Sequence, residues 1–284
     1  MIAGTTRDVL FEWMRRIDAG PFSVLGCGER VTYPNLDMMS TLAAAAGVTE
    51  RVRLEATVSV LPMHRAVHVA KQAATIDVLS GGRFVVGVGV GGRDDDYRSY
   101  EAPTARKHAR LDEQVASMRA IWSGAPPFAG AAPVGPVPVQ PGGPPILAGV
   151  MGPKAMARAA RWSHGLAGFD MAGEAAAIAS TFRAFETAWR DADRDGTPFL
   201  QTSFWFGLGA DAATTVRDYA YGYLQIFGDR AASSLAEMCT ATSPAAVRDR
   251  LHAITDTGAD EVILVATSAD VDEVARAADV VASL

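Results

Sequence analysis

"RFVVGVGVGGRDDDY", Arg83 to Tyr97, contains a literal G-x-G-x-x-G at Gly87, Gly89 and Gly92, directly behind a run of β-branched residues. A dinucleotide-binding unit needs more than this spacing: a helix must open inside the motif, and an acid must follow about 20 residues on, at the end of a second strand. Here Gly92 leads into Arg93-Asp94-Asp95-Asp96, whose clustered like charges make a poor first turn for a pyrophosphate. Glu113, the acid at the required distance, falls in the middle of an amphipathic segment. The informative feature is the alternation of Val with Gly. It puts glycines on one face of a strand, where a flat ligand or a neighbouring backbone can approach closely. The remaining reading is a barrel strand whose inward layer is small for packing reasons.

Working outward, short apolar runs alternate with segments of helical period. Thr6 to Asp18 has Leu10, Trp13, Met14 and Ile17 on one helical face. Strands are expected at Phe22–Cys27, Val52–Val60 and Phe84–Val90, with helices at Leu36–Ala46 and Ala66–Leu79 between them. No helix is expected between Arg93 and Lys107. After the amphipathic segment Arg110–Trp122, the Pro- and Gly-rich stretch Gly124–Pro145 reads as an extended crossover. Alternation then resumes with strands at Pro145–Ala148, Gly165–Ala167, Phe199–Leu208 and Glu261–Val265, and helices between and after them. Strands alternating with helices imply a parallel sheet covered by helices, either doubly wound or closed as a (β/α)8 barrel.

The 284 residues are 49% hydrophobic and 20% charged with a formal net charge of −6, so there is a sizeable core and no basic face for nucleic acid or an anionic membrane. A small-molecule partner is expected. Cys27 and Cys239 are too few for a disulfide framework and wrongly spaced for structural zinc, which makes a reducing cytoplasm the default location. Neither a signal peptide nor a membrane span is expected.

"HVAKQAATIDVLSGGRFVVGVGVGG", His68 to Gly92, resembles the signature of the luciferase-like monooxygenase superfamily, whose members are TIM barrels that bind FMN or the deazaflavin coenzyme F420. "DMMSTLAAAAGVTERVRLEATVSVLP" before it and "ARLDEQVASMRAIWSG" after it extend the resemblance. "PPILAGVMGPKAMARAARWSHG" resembles the strand and helix that hold the cofactor phosphate, and "TSPAAVRDRLHAITDTGADEVIL" the final helix and strand. The resemblance implies a single α/β domain over residues 1–284, a TIM (β/α)8 barrel of bacterial luciferase type. Only Met1–Gly4 precede the first helix, so the first strand is expected to be short, with Ile2-Ala3 as its remnant, or missing.

The function so implied is hydride transfer between F420 and a small organic substrate, in a protein that is commonly a homodimer in this family. The alternative is an FMN-dependent monooxygenase using oxygen and a partner reductase; a second is a non-catalytic flavin-binding protein. By resemblance the cofactor ring lies against Ala56, Thr57 and Val58 on one strand, with Val88, Gly89 and Gly91 flanking it. Gly149, Val150, Met151 and Gly152 precede Pro153, where a helix start assisted by Lys154 is suited to a phosphate. Glu29 stands where the family often has an acid followed by His, but Arg30 replaces that His here. His64 is the candidate replacement imidazole, so Glu29 and His64 form the expected catalytic pair. Arg30, Asp94, Tyr97 and Trp205 are the expected substrate-binding residues, against ordinary readings as rim ion pair, solvated loop and core aromatics. His64 and His68 have i, i+4 spacing, but without a third ligand of suitable type no metal is expected.

Overall fold

The apolar runs become strands and the amphipathic segments helices, in close alternation. The computed structural model describes residues 5–284; the expected strand remnant at Ile2-Ala3 lies outside them. In chain order the elements are α1 (Arg7–Ala19), β1 (Val24–Cys27), α2 (Met38–Val48), β2 (Arg53–Val60), α3 (Ala66–Leu79), β3 (Phe84–Gly89), α4 (Asp94–Ser99), α5 (Lys107–Trp122) and β4 (Ile146–Gly149). They continue with α6 (Pro153–Ala159), β5 (Gly165–Ala167), α7 (Ala175–Asp191), β6 (Phe199–Phe206), α8 (Ala212–Leu224), α9 (Asp229–Ala236), α10 (Pro244–Thr255), β7 (Glu261–Ala266) and α11 (Asp272–Val281). The strand order of the sheet is β1-β2-β3-β4-β5-β6-β7. Strands in sequential order with intervening helices follow the (β/α) barrel order that the resemblance to the bacterial-luciferase type implies, with seven strands among the described residues. No helix among the described residues is long and apolar enough to cross a membrane.

The chain divides into two compact units. One comprises Ser23–Ala167 and Phe185–Pro198; the other comprises residues 5–22, Gly168–Ala184 and Phe199–Leu284. In the first, β1 to β5 pair in parallel, and β3 is buried at all six positions, as a central strand covered on both faces must be. The Pro-rich crossover is tied down by one buried side chain. Asp77 on α3 accepts from the amides of Val139 (2.7 Å) and Gln140 (3.0 Å) and from Gln140 Nε2 (2.7 Å). In the second unit β6 and β7 pair in parallel from Gln201↔Glu261 to Phe206↔Ala266. Two of its helices, α1 and α10, are capped by side chains: Thr6 Oγ1 accepts from the Val9 amide, and Ser243 Oγ accepts from the Ala246 amide ahead of Pro244 at the first helical position.

One expectation is corrected. A short helix, α4, does follow the glycines, beginning at Asp94. The three aspartates occupy its first turn, where carboxylates complement the positive end of the helix dipole, so the same charges that disfavour a pyrophosphate favour the helix itself.

Candidate active site

Glu29 lies two residues beyond the end of β1 and reaches across to the end of β2. Its Oε2 accepts from the Val60 amide at 2.6 Å and from Ser59 Oγ at 3.3 Å, and its Oε1 meets His64 Nε2 at 2.6 Å. The side chains of Glu29 and His64 are only 8% and 15% exposed, so water screens this contact little. His64 is brought back to the strand tip by the Leu61–Met63 turn, which Pro62 initiates and the His64 amide closes by donating to Leu61 O at 2.9 Å. Gln114 Nε2 on α5 donates to His64 O at 2.7 Å, and the Tyr100 ring meets the imidazole edge-on with centroids 4.8 Å apart. A carboxylate only accepts, so Nε2 is assigned the proton and Nδ1 is left as the acceptor. Among the described residues Nδ1 has no hydrogen-bond partner. An imidazole oriented by a carboxylate on one nitrogen and without a hydrogen-bond partner on the other can exchange a proton. His68 is exposed one turn into α3 and does not join this pair.

Arg30 turns to a different partner. Its Nη2 lies 3.2 Å from Asp96 Oδ1 and 3.1 Å from Oδ2, with the two side chains 8% and 6% exposed. Asp96 Oδ1 also accepts from the Thr32 amide (3.3 Å) and Thr32 Oγ1 (2.8 Å), and the Arg30 guanidinium sits 4.6 Å from the Tyr33 ring centroid. Asp94 is exposed at the start of α4. Tyr97 is buried and donates its hydroxyl to Val90 O at 2.6 Å; burial pushes its pKa up to about 12.

The glycine-rich strand has an unexpected occupant. Register between β2 and β3 runs Ala56↔Val86 and then Ser59↔Val88, so β2 holds one extra residue in a bulge at Thr57-Val58, whose peptide bond is cis. The Val58 side chain fills the space that β-carbons at Gly87, Gly89 and Gly149 would need, each within 3.1 Å of a Val58 methyl. The Val-Gly alternation thus admits a neighbouring strand's bulge. Ala56 is buried, while Thr57 and Val58 remain partly exposed. Val88 is buried, and Gly91 takes a φ of 60° against Val60.

At the end of β4, Gly149 and Val150 are half-buried and Met151 is 87% exposed. Gly152 has a φ of 80° and stands as the N-cap of α6 before Pro153, with no atom within 4 Å of where a β-carbon would sit. The first-turn amides of Lys154 and Ala155 have no acceptor within the helix, and the Lys154 side chain is exposed. In the second unit, Trp205 is 2% exposed and wrapped edge-on by Phe169, Tyr219 and Tyr223 at 5.2, 5.5 and 5.2 Å. It belongs to a core cluster with Val216, Ala220 and Leu224 of α8, so its indole carries packing there rather than an open surface.

Sequence reasoning missed Thr32 and Tyr100, and it grouped Asp96 with Asp94 and Asp95 as a solvated loop at the mouth of the site. Asp96 was one of three identical neighbours, and only the phase of a six-residue helix distinguishes it from exposed Asp94 and Asp95.

The sequence profile of the family described as luciferase-like monooxygenase matches residues 4–232. An uncharacterised protein of Mycobacterium tuberculosis is 40% identical over 88 residues, 31% of each chain. The pyrimidine monooxygenase RutA of Escherichia coli is 35% identical over 102 residues, 34% of this chain and 28% of that protein. These matches span about a third of the curated relatives' length. Among solved structures, monooxygenase RslO1 from Streptomyces bottropensis aligns with a TM-score of 0.77 at 21% identity, covering 97% of this chain and 91% of that one. The coenzyme F420-dependent tetrahydromethanopterin reductase of Methanopyrus kandleri aligns at 0.76 with 15% identity, covering 97% and 95%. The FMN complex of the oxygenating constituent of 3,6-diketocamphane monooxygenase from Pseudomonas putida aligns at 0.72 with 14% identity, covering 98% and 93%.

Proposed function

Because this chain belongs to the luciferase-like monooxygenase family, we propose that it is a flavin-dependent oxidoreductase acting on a small organic molecule, with FMN as cofactor and a monooxygenase reaction fed by a partner reductase. The observation that carries the reading is the Glu29–His64 pair, a buried carboxylate holding an imidazole whose Nδ1 is open. The residues present fit a phosphate-bearing flavin. Gly152 leaves space in front of the α6 amides, and the bulge at Thr57-Val58 offers a partly exposed edge bordered by Val88, Gly89 and Gly91.

The flavin, when bound, supplies the redox chemistry, including reaction with oxygen in the case of FMN. The chain supplies the rest. Gly149, Val150, Met151, Gly152 and Lys154 bind the phosphate through oriented backbone donors and one positive charge. Ala56 to Val58 orient the ring. His64 Nδ1 takes a proton from the reacting substrate or, once charged, returns it, while Glu29 fixes the tautomer and balances the imidazolium that forms. Asp94 and the Arg30 segment border the substrate.

The pyrimidine monooxygenase RutA, among the curated relatives, favours the oxygen reaction. F420-dependent hydride transfer is the second reading, favoured by the resemblance of the combination Glu29-Arg30, "AKQAATIDVLSGGR" and "GVGVGG" to the deazaflavin-dependent branch; the same loop at Gly152 suits its phosphate equally. Titration with oxidised and reduced FMN and F420, followed by fluorescence quenching, separates the two. FMN is expected to bind, and Gly152→Val is expected to weaken binding at least tenfold. Binding of F420 alone would reverse the cofactor order, and binding of neither would remove the oxidoreductase reading.

A further inference from the structure

Glu29 and Arg30 are adjacent in the chain and opposite in charge, yet they face different partners: His64 takes the carboxylate and Asp96 takes the guanidinium. We propose that Asp96 is a positioning residue for the Glu29–His64 pair, engaging Arg30 so that the guanidinium stays off the Glu29 carboxylate and that carboxylate remains available to orient His64. The inference rests on the reading of Glu29–His64 as the proton-exchanging pair.

Three observations carry it. First, the Arg30–Asp96 contact uses both carboxylate oxygens and is nearly inaccessible, with side chains 8% and 6% exposed. A charge left unpaired at such a site does not remain so; it takes the nearest opposite charge. Second, the nearest carboxylate along the chain is Glu29 itself. A guanidinium offers a planar fork of charged donors, and it outcompetes the single N–H of a neutral imidazole for a carboxylate. Third, Asp96 is held where it is by independent anchors. Thr32 donates to it from both its amide and its hydroxyl, and the next residue on α4, Tyr97, is pinned to the end of β3 through Val90 O at 2.6 Å. Asp96 therefore joins the segment after β1 to the segment after β3, and Glu29 lies between β1 and the Arg30 it restrains. Asp95, its exposed neighbour, pairs at the surface with Arg98 at 3.6 Å and serves as the control. The groups around His64 besides Glu29 are Tyr100, directly after α4, and Gln114 from α5, with Arg110 donating to Pro62 O nearby at 3.2 Å.

The test uses the full chain labelled with 15N-histidine, with His64 identified by loss of its signals in His64→Asn. In the wild type its imidazole is expected to show the Nε2–H tautomer with a downfield, hydrogen-bonded proton. Asp96→Asn, nearly isosteric, is expected to lose that proton signal. Arg30→Met/Asp96→Asn is expected to regain it, because the competing cation is gone; a merely structural role for Asp96 predicts no such rescue. Asp95→Asn and Arg30→Met are expected to keep the signal. Retention in Asp96→Asn, or failure of the double variant to regain the signal, would overturn the proposal. Should Asp96→Asn not fold, Arg30→Lys/Asp96→Asn is compared with Arg30→Met/Asp96→Asn: the variant that keeps a cation without its carboxylate is expected to lose the signal, and retention there would overturn the proposal. Glu29→Gln separates the two layers, since an unchanged His64 signature there would sink the Glu29–His64 reading itself.

Discussion

At the scale of single residues, the glycines of β3 and the two partners of Glu29 and Arg30 govern what the site can do. A β-carbon at Gly87 would collide with Ala56 O, and one at Gly89 would sit 2.9 Å from Gly149 O, whereas one at Gly92 would meet nothing within 4 Å. Gly87→Ala and Gly89→Ala are therefore expected to cost about 1–3 kcal/mol each by overpacking, measured by urea unfolding. Gly92→Ala should stay within about 0.5 kcal/mol of wild type. The third glycine of the literal motif is thus the dispensable one. For His64, replacement by Ala should lower turnover about 10²- to 10⁴-fold, with flavin affinity unchanged in the same titration. Glu29 and His64 were each nominated from sequence, but their contact joins residues 35 positions apart and no periodicity encodes it. The bulge at Thr57-Val58 was equally hidden, because an extra residue in a strand alters pairing with its neighbour and leaves the apolar pattern of Arg53–Val60 unchanged.

At the scale of elements, the Pro-rich crossover and α4 show how segments without a core of their own are held. Asp77 collects three donors from Val139 and Gln140, and Gln140 Nε2 also reaches Phe84 O at 2.7 Å. Asp77→Ala leaves the two amides without this acceptor. Limited proteolysis is expected to cut within residues 124–145 several-fold faster than in the wild type, and an unchanged cleavage rate would show that the crossover is held by other contacts. Most helices and strands were legible because burial on one face imprints a period on the chain. α4 was not: six residues are too few to display a period, and its charged first turn looks the same in a loop.

Across the whole molecule, three weak acids held away from water contribute to the loss of stability at alkaline pH. Burial pushes the Cys27 and Cys239 thiols from 9.0 up to about 11, and the Tyr97 hydroxyl from 10.0 to about 12. Between those limits the unfolded chain has released protons that the folded chain still binds, so stability falls as pH rises. The contribution is fully present below about pH 9. Thermal unfolding followed from pH 8 to 11 should show a falling midpoint, shallower in Cys27→Ala and Cys239→Ala. Both thiols should also react slowly with a thiol reagent at pH 8 until the protein is unfolded. Periodic burial and local backbone demands are written residue by residue, so the alternation of strands and helices, the parallel sheet it implies and the family signature around β3 can be read from the chain. Which charges meet, the filling of the glycine face by Val58 and the enclosure of Trp205 by aromatics emerge only on folding. Those outcomes depend on register and on the phase of short elements, which bring distant positions together without leaving a mark on the sequence near either one.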